Sequence, residues 1–187
     1  MSEVLFKKVD YTVNKLLEDI EIGNIGLPDI QRPFVWNKTK VRDLFDSMYR
    51  GFPIGYLLFW ENGLPGEHRL IGADRKQKAP VLLIVDGQQR LTSLYAVMRG
   101  APIVDENFRT TRIRLAFHPF EQRFEVTNPA IERDPEWLAD ISVLWQPTTS
   151  LLTFVNNFIA RLETRRPLSD TEREQVYQAI DRVVDLQ

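Results

Sequence analysis

An unbroken apolar run, Val81-Leu82-Leu83-Ile84-Val85, passes without a spacer into Asp86-Gly87-Gln88-Gln89-Arg90, and the helical spacing Leu91, Leu94, Tyr95, Met98 begins at once. No other stretch restricts the fold as much. A continuous row of β-branched and leucine side chains is the pattern of a strand buried on both faces, and Gly100 is a stop for the helix that follows. The chain therefore combines strand and helix, and its expected class is α+β.

The junction has its own chemistry. A strand that delivers polar residues into a helix N-terminus presents backbone N–H groups and the positive end of the helix dipole, which together suit an anion. Gly87 permits a tight turn and close approach of a ligand. Arg90 offers a fork of donors matched to phosphate oxygens, and Thr92 and Ser93 add hydroxyls. Asp86 suits a magnesium ion, a ribose hydroxyl or the orientation of Arg90. The same spacing equally fits a strand-ending turn followed by a solvated first helical turn, so spacing alone leaves both readings open. A Walker A loop is excluded because its second glycine and its lysine are missing, and no GxGxxG loop occurs.

A similar design stands upstream. Pro28 and Pro33 keep Leu27-Pro28-Asp29-Ile30-Gln31-Arg32-Pro33-Phe34-Val35-Trp36 out of a helix. Asn37 then suits an N-cap, Val41, Leu44, Phe45 and Met48 share one helical face, and Arg50-Gly51 closes the helix as Arg99-Gly100 closes the later one. Gln31 and Arg32, between apolar neighbours, form a second polar cluster; an arginine placed there requires a partner, either a phosphate or an acid such as Asp43 or Asp46. Trp36 reads as core.

Tyr56 to Trp60 fits a short buried strand, and Glu61 to Pro80 an exposed loop with room for one more strand and a basic patch, Arg75-Lys76-Gln77-Lys78. Arg112 to Phe117 and Arg123 to Thr127 alternate as a β-hairpin does, with Glu121 and Glu125 as partners for its arginines. Helical spacing then runs through Trp137, Leu138 and Ile141, through Leu151 to Leu162, and through Val176 to Val183 behind a Ser169/Glu172 capping box. The division falls near Asn128 to Asp134, with residues 1–130 as the core and 131–187 as the start of a helical region. The last helix meets no stop signal before Gln187, as expected of a piece of a longer protein.

Composition narrows the function classes. With no cysteine among 187 residues, thiol catalysis, disulfides and cysteine-based zinc sites are excluded. His68 and His118 are isolated and lack metal-ligand spacing. Twenty-four basic and 26 acidic residues leave a net charge of −2, so any contact with nucleic acid must be local. No signal peptide or run of membrane-spanning length occurs, and the expected compartment is the cytoplasm, with no membrane partner.

The segments Leu27 to Trp36, Val41 to Gly55 and Asp86 to Leu94, in that order, resemble the N-terminal domain family of GmrSD-type restriction enzymes. The resemblance is specific from about Leu16 to Gly100 and diffuse beyond. It implies a ParB/sulfiredoxin-like core, with a small mixed sheet and packed helices followed by a helical segment. It further implies binding and hydrolysis of a nucleoside triphosphate with Mg2+, in a protein that attacks modified foreign DNA through a downstream nuclease domain or subunit. The family's nucleotide motif falls on Asp86, Gly87, Gln88, Gln89 and Arg90, and its Gln-Arg-Pro run on Gln31, Arg32 and Pro33. On this basis Asp86, Gln88, Gln89 and Arg90 are the expected catalytic residues and Asp86 the expected metal ligand. Gln31, Arg32, Gly87, Arg90, Thr92 and Ser93 are expected to bind nucleotide. Two other classes remain open: a binding module without turnover, and a ParB-like nuclease or DNA reader.

Overall fold

The structure is a computed structural model that describes residues 6–28, 33–61, 68–70 and 80–187. It is α+β, with a small mixed sheet and packed helices.

Helix α1 (Val13–Glu21) is capped by Thr12 and buries Leu16, Leu17 and Ile20. Strand β1 (Ile25–Pro28) follows, then α2 (Lys38–Tyr49), β2 (Leu58–Glu61), β3 (His68–Leu70), β4 (Leu82–Asp86) and α3 (Gln88–Met98). The four strands form one sheet in the order β2-β4-β1-β3, with β4 parallel to β1 and antiparallel to β2. Asn37 caps α2 as its sequence predicts: Oδ1 accepts from Lys40 N at 2.8 Å. Val41, Leu44 and Phe45 are buried, and α2 and α3 end at Arg50 and Arg99, each followed by its glycine.

Two strand expectations need correction. β4 was expected to be buried on both faces, yet only Ile84 is buried in it, while Val85 is 44% exposed. β2 was expected to be a buried strand over Tyr56–Trp60; it starts at Leu58, lies at the sheet edge and leaves Trp60 68% exposed. Among the described residues, the two faces of this sheet differ in exposure. Phe59 pairs with Ile84 and Ile25 with Leu82 on the inner face, whereas Trp60 pairs with Leu83 on the outer one. A continuous apolar run does not distinguish a sheet covered once from a sheet covered twice.

Beyond α3, β5 (Ile103–Val104) pairs with β6 (Thr110–Thr111), and β7 (Leu115–His118) with β8 (Arg123–Val126). The second pair is the predicted hairpin. Arg123 lies 2.9 Å from Glu121 and 3.6 Å from Glu125, while Arg112 and Arg114 instead reach Asp140 and Glu132. Every residue of β7 is buried rather than alternate ones, because Leu138 bridges to Phe117 and Trp137 packs on Ala116. Where a helix was expected, Trp137 thus lies in a bend and Leu138 in a β-bridge, with helical structure in α4 (Pro129–Arg133) and in a 3-10 turn (Ile141–Trp145) on either side. His118 is satisfied within the fold: Nδ1 accepts from Glu121 N at 3.2 Å, and Nε2 lies 3.4 Å from Glu136.

Two helices complete the chain, α5 (Leu151–Glu163) and α6 (Asp170–Val184). Both halves of the Ser169/Glu172 capping box form. Arg166 beside Glu172, together with the Ser169 hydrogen bonds, holds that carboxyl down to about 2. The main apolar cluster takes in residues from Leu16 to Val183, with the Phe124 ring in contact with those of Phe45, Tyr49 and Phe117. Among the described residues, no helix is long and apolar enough to cross a membrane.

Candidate functional site

The polar run after β4 lies where the sheet hands the chain to α3. Gly87 is the N-cap of α3 at φ 88° and has no side chain with which to cap the helix. By contrast, Thr12, Asn37, Asn128 and Ser169 each place a side-chain oxygen on the first turn of α1, α2, α4 and α6. The first turn of α3, like that of α5, thus takes no hydrogen bond from its N-cap side chain, and the N-terminus of a helix favours an anion by dipole and amides together.

Gln88, Gln89 and Arg90 form the first helical turn, but they are half-buried rather than solvated. Arg90 is tied to the loop before β2: Nη1 donates to Ile54 O at 2.6 Å, and Nη2 lies 3.5 Å from Asp86 Oδ2. Its side chain is 18% exposed. Two glycines with positive φ make room for it. A Cβ on Gly55 would lie 2.5 Å from Nη1, and one on Gly87 would meet Leu57 and lie 3.2 Å from Nη2. Both positions thus need glycine twice over, for backbone conformation and for space.

Gln89 faces the other way, onto the segment before α2. Its Oε1 accepts from Val35 N at 2.9 Å and from Trp36 N at 3.3 Å, and its Nε2 donates to Pro33 O at 3.1 Å. The structure thus brings the Asp86–Arg90 run together with the end of the Gln-Arg-Pro segment. Gln31 and Arg32 themselves, like the basic patch Arg75–Lys78, lie outside the described residues.

The remaining predicted residues differ in access. Asp86 is 75% exposed at the end of β4, open to a ligand. Ser93 was expected as a hydroxyl donor to nucleotide; it is instead fully buried, and its Oγ donates to Gln89 O at 2.7 Å, so its proton is used within α3. Thr92 is also buried, and its Oγ1 has no hydrogen-bond partner, a state that costs roughly 1 to 3 kcal/mol when nothing relieves it. Among the described residues no three metal-ligating side chains cluster. Magnesium usually retains waters and binds through one or two carboxylates plus substrate phosphates, so a lone exposed Asp86 fits an ion that arrives with a triphosphate.

Sequence reasoning missed Ile54, Gly55 and Leu57 as parts of the site. The Gly55 signal was present, but it reads as a strand boundary until Arg90 is seen to fill the space that a side chain would take.

The fold is an α+β domain in which an inner strand opens through a glycine into a helix, with arginine and glutamine braces beside the junction. Residues 13–185 match the family model described as "GmrSD restriction endonuclease, N-terminal domain". The chain belongs to that family. It is also 37% identical over 82 residues to an uncharacterized protein of Methanocaldococcus jannaschii, a match that covers 39% of this chain and 14% of that protein.

Proposed function

We propose that this domain binds a magnesium–nucleoside triphosphate at the N-terminus of α3 and hydrolyses it, within a restriction protein that acts on modified foreign DNA. The observation that supports this most directly is the uncapped α3 terminus, with Arg90 fixed at its edge and Asp86 exposed beside it. The phosphates lie over the Gly87 turn. Arg90, through its Nη2 side, and Arg32 offset phosphate charge, and the magnesium of the substrate sits near Asp86. Thr92, whose buried Oγ1 has no partner among the described residues, adjoins this turn.

Hydrolysis is attack of a water oxygen on the γ-phosphorus with cleavage of the bond to the β–γ bridging oxygen. It yields the diphosphate, inorganic phosphate and one proton released to solvent. A glutamine that orients the attacking water is a recurring part of nucleotide hydrolases, and Gln88 takes that role here. Turnover would gate a downstream nuclease domain or subunit, and the core would be of the ParB-like kind.

Magnesium-dependent phosphate release from ATP, GTP, CTP and UTP tests the reading, with Asp86→Asn and Arg90→Ala as variants. Loss of turnover in both supports it; turnover unchanged in both sinks it.

A second reading is favoured by the engagement of both Gln89 and Arg90 with backbone oxygens of the protein itself. In that reading the pocket holds a nucleotide without turnover and acts as a switch. Firm binding of a magnesium–nucleotide with no phosphate release would select it. A nuclease or DNA reader in its own right is disfavoured by the net charge of −2.

A further inference from the structure

We infer that Tyr56 is the base platform of the proposed site, its exposed ring stacking on the nucleobase of the nucleotide whose phosphates lie over the Gly87 turn. The inference rests on the nucleotide reading above and adds the residue that holds the other end of the ligand.

The place of Tyr56 is set by its neighbours. β2 runs antiparallel to β4 with Leu58 opposite Asp86, the last residue of β4. The residues just before Leu58 therefore run past the end of β4 and alongside the Gly87 turn. Both chain neighbours of Tyr56 lie against that junction: a Cβ on Gly55 would come 2.5 Å from Arg90 Nη1, and the Leu57 side chain rests on Gly87. One residue further back, Ile54 O accepts from Arg90 at 2.6 Å.

The side chains of this segment alternate. Leu57 and Phe59 are partly buried against the main core, whereas Tyr56, Leu58 and Trp60 are exposed, Tyr56 by 82%. Exposure alone decides nothing, since Trp60 and Phe108 are exposed too and single surface hydrophobes are ordinary. Tyr56 differs in being carried at the rim of the junction by backbone that Arg90 braces.

A nucleoside triphosphate has a polyanionic end and a flat aromatic end. For the first, the junction offers Arg90, an exposed Asp86 for the accompanying magnesium, and beside them the buried Thr92 hydroxyl that has no partner. For the second, Tyr56 offers a ring with only two side-chain torsions to fix. Stacking uses the π-face that every nucleobase has, so the platform favours nucleosides over inorganic phosphates without selecting a base.

Titration calorimetry with the magnesium complexes of ATP, GTP, CTP, UTP and inorganic tripolyphosphate tests this in wild type, Tyr56→Ala, Tyr56→Leu and Tyr56→Phe. Tyr56→Ala and Tyr56→Leu should weaken all four nucleotides by about 5- to 100-fold and leave tripolyphosphate within about twofold of wild type. Tyr56→Phe keeps the π-face and should bind all five ligands within about twofold of wild type. Because the ring is exposed, the thermal midpoint of each variant should stay within about 2 °C, which separates lost binding from lost folding. In NMR spectra the ring protons of Tyr56 should shift with each nucleotide and stay in place with tripolyphosphate.

Nucleotide affinity unchanged in Tyr56→Ala overturns the inference, as does a loss shared equally by tripolyphosphate or confined to one base. In those cases the phosphate site itself still stands. If wild type binds none of the five ligands, the nucleotide reading falls and takes the platform with it.

Discussion

α2 and α3 are built alike and finished differently. Each follows extended chain, each buries one apolar face in the main core, and each stops at an arginine followed by a glycine. Yet α2 opens with Asn37, whose side chain closes the first turn, and α3 opens with Gly87, which closes nothing. Gln89 and Arg90 of α3's first turn bond outside their own helix. They reach outward to backbone groups of other segments, Gln89 to residues 33–36 and Arg90 to Ile54. One helix is closed by its own N-cap side chain; the other is braced by hydrogen bonds from its first turn to neighbouring segments. In the proposed function this difference leaves the start of α3 to the phosphates.

The comparison can be broken most forcefully at Arg90. Arg90→Ala should weaken magnesium–nucleotide binding by about 10- to 100-fold, the roughly 1.5 to 3 kcal/mol of one charge-assisted contact. The same substitution in the matching place on α2, Lys40→Ala, should leave that affinity unchanged; titration calorimetry compares the two. Gly87→Ala comes next. A methyl there runs into Leu57 in a backbone conformation that L side chains rarely adopt, so thermal unfolding should show a loss of about 1 to 3 kcal/mol and nucleotide binding should fall with it.

Asn37→Ala sharpens the contrast from the other side. Loss of the α2 cap should cost about 1 kcal/mol in stability without a change in nucleotide affinity, since α2 has no part in the site. The smallest effect belongs to the box at the start of α6. The Glu172 carboxyl, held at about 2 in the folded protein against an ordinary value of 4.5, supports folding above its unfolded value, and that support is lost as pH falls from 4.5 through 2. Glu172→Gln should remove this slope from an acid melt while leaving α2 and α3 untouched.

Much of α2 and α3 was legible in the sequence because their signals are local. Asn37 sits one residue before its helix, the apolar spacing has the helical period, and glycine marks both ends. The α3 start was legible too, as a polar run fed by a strand. The braces were not. Gln89 and its partners are separated by more than 50 residues, and nothing local to Pro33, Val35 or Ile54 announces that a distant side chain will satisfy its backbone. Burial of the strands was misread for a related reason, since whether a second layer covers a sheet is decided by where other elements pack. Trp137 and Leu138 have helical spacing with Ile141, but Leu138 pairs with Phe117 in a β-bridge and Trp137 lies in the bend before it. Tertiary pairing outweighed local period there.

The tryptophans fall in three optically distinct surroundings. Trp60 stands in water on the outer sheet face, Trp137 and Trp145 are buried, and Trp36 is half-buried under the Lys40 ammonium, 4.6 Å from its ring, with its backbone held by Gln89. Replacing Trp60 with phenylalanine would remove the solvent-exposed emitter and leave two shielded ones as a steady background. On the proposed function, the fluorescence that then responds to added magnesium–nucleotide should come from Trp36, so the chain would carry a dye of its own beside the first turn of α3.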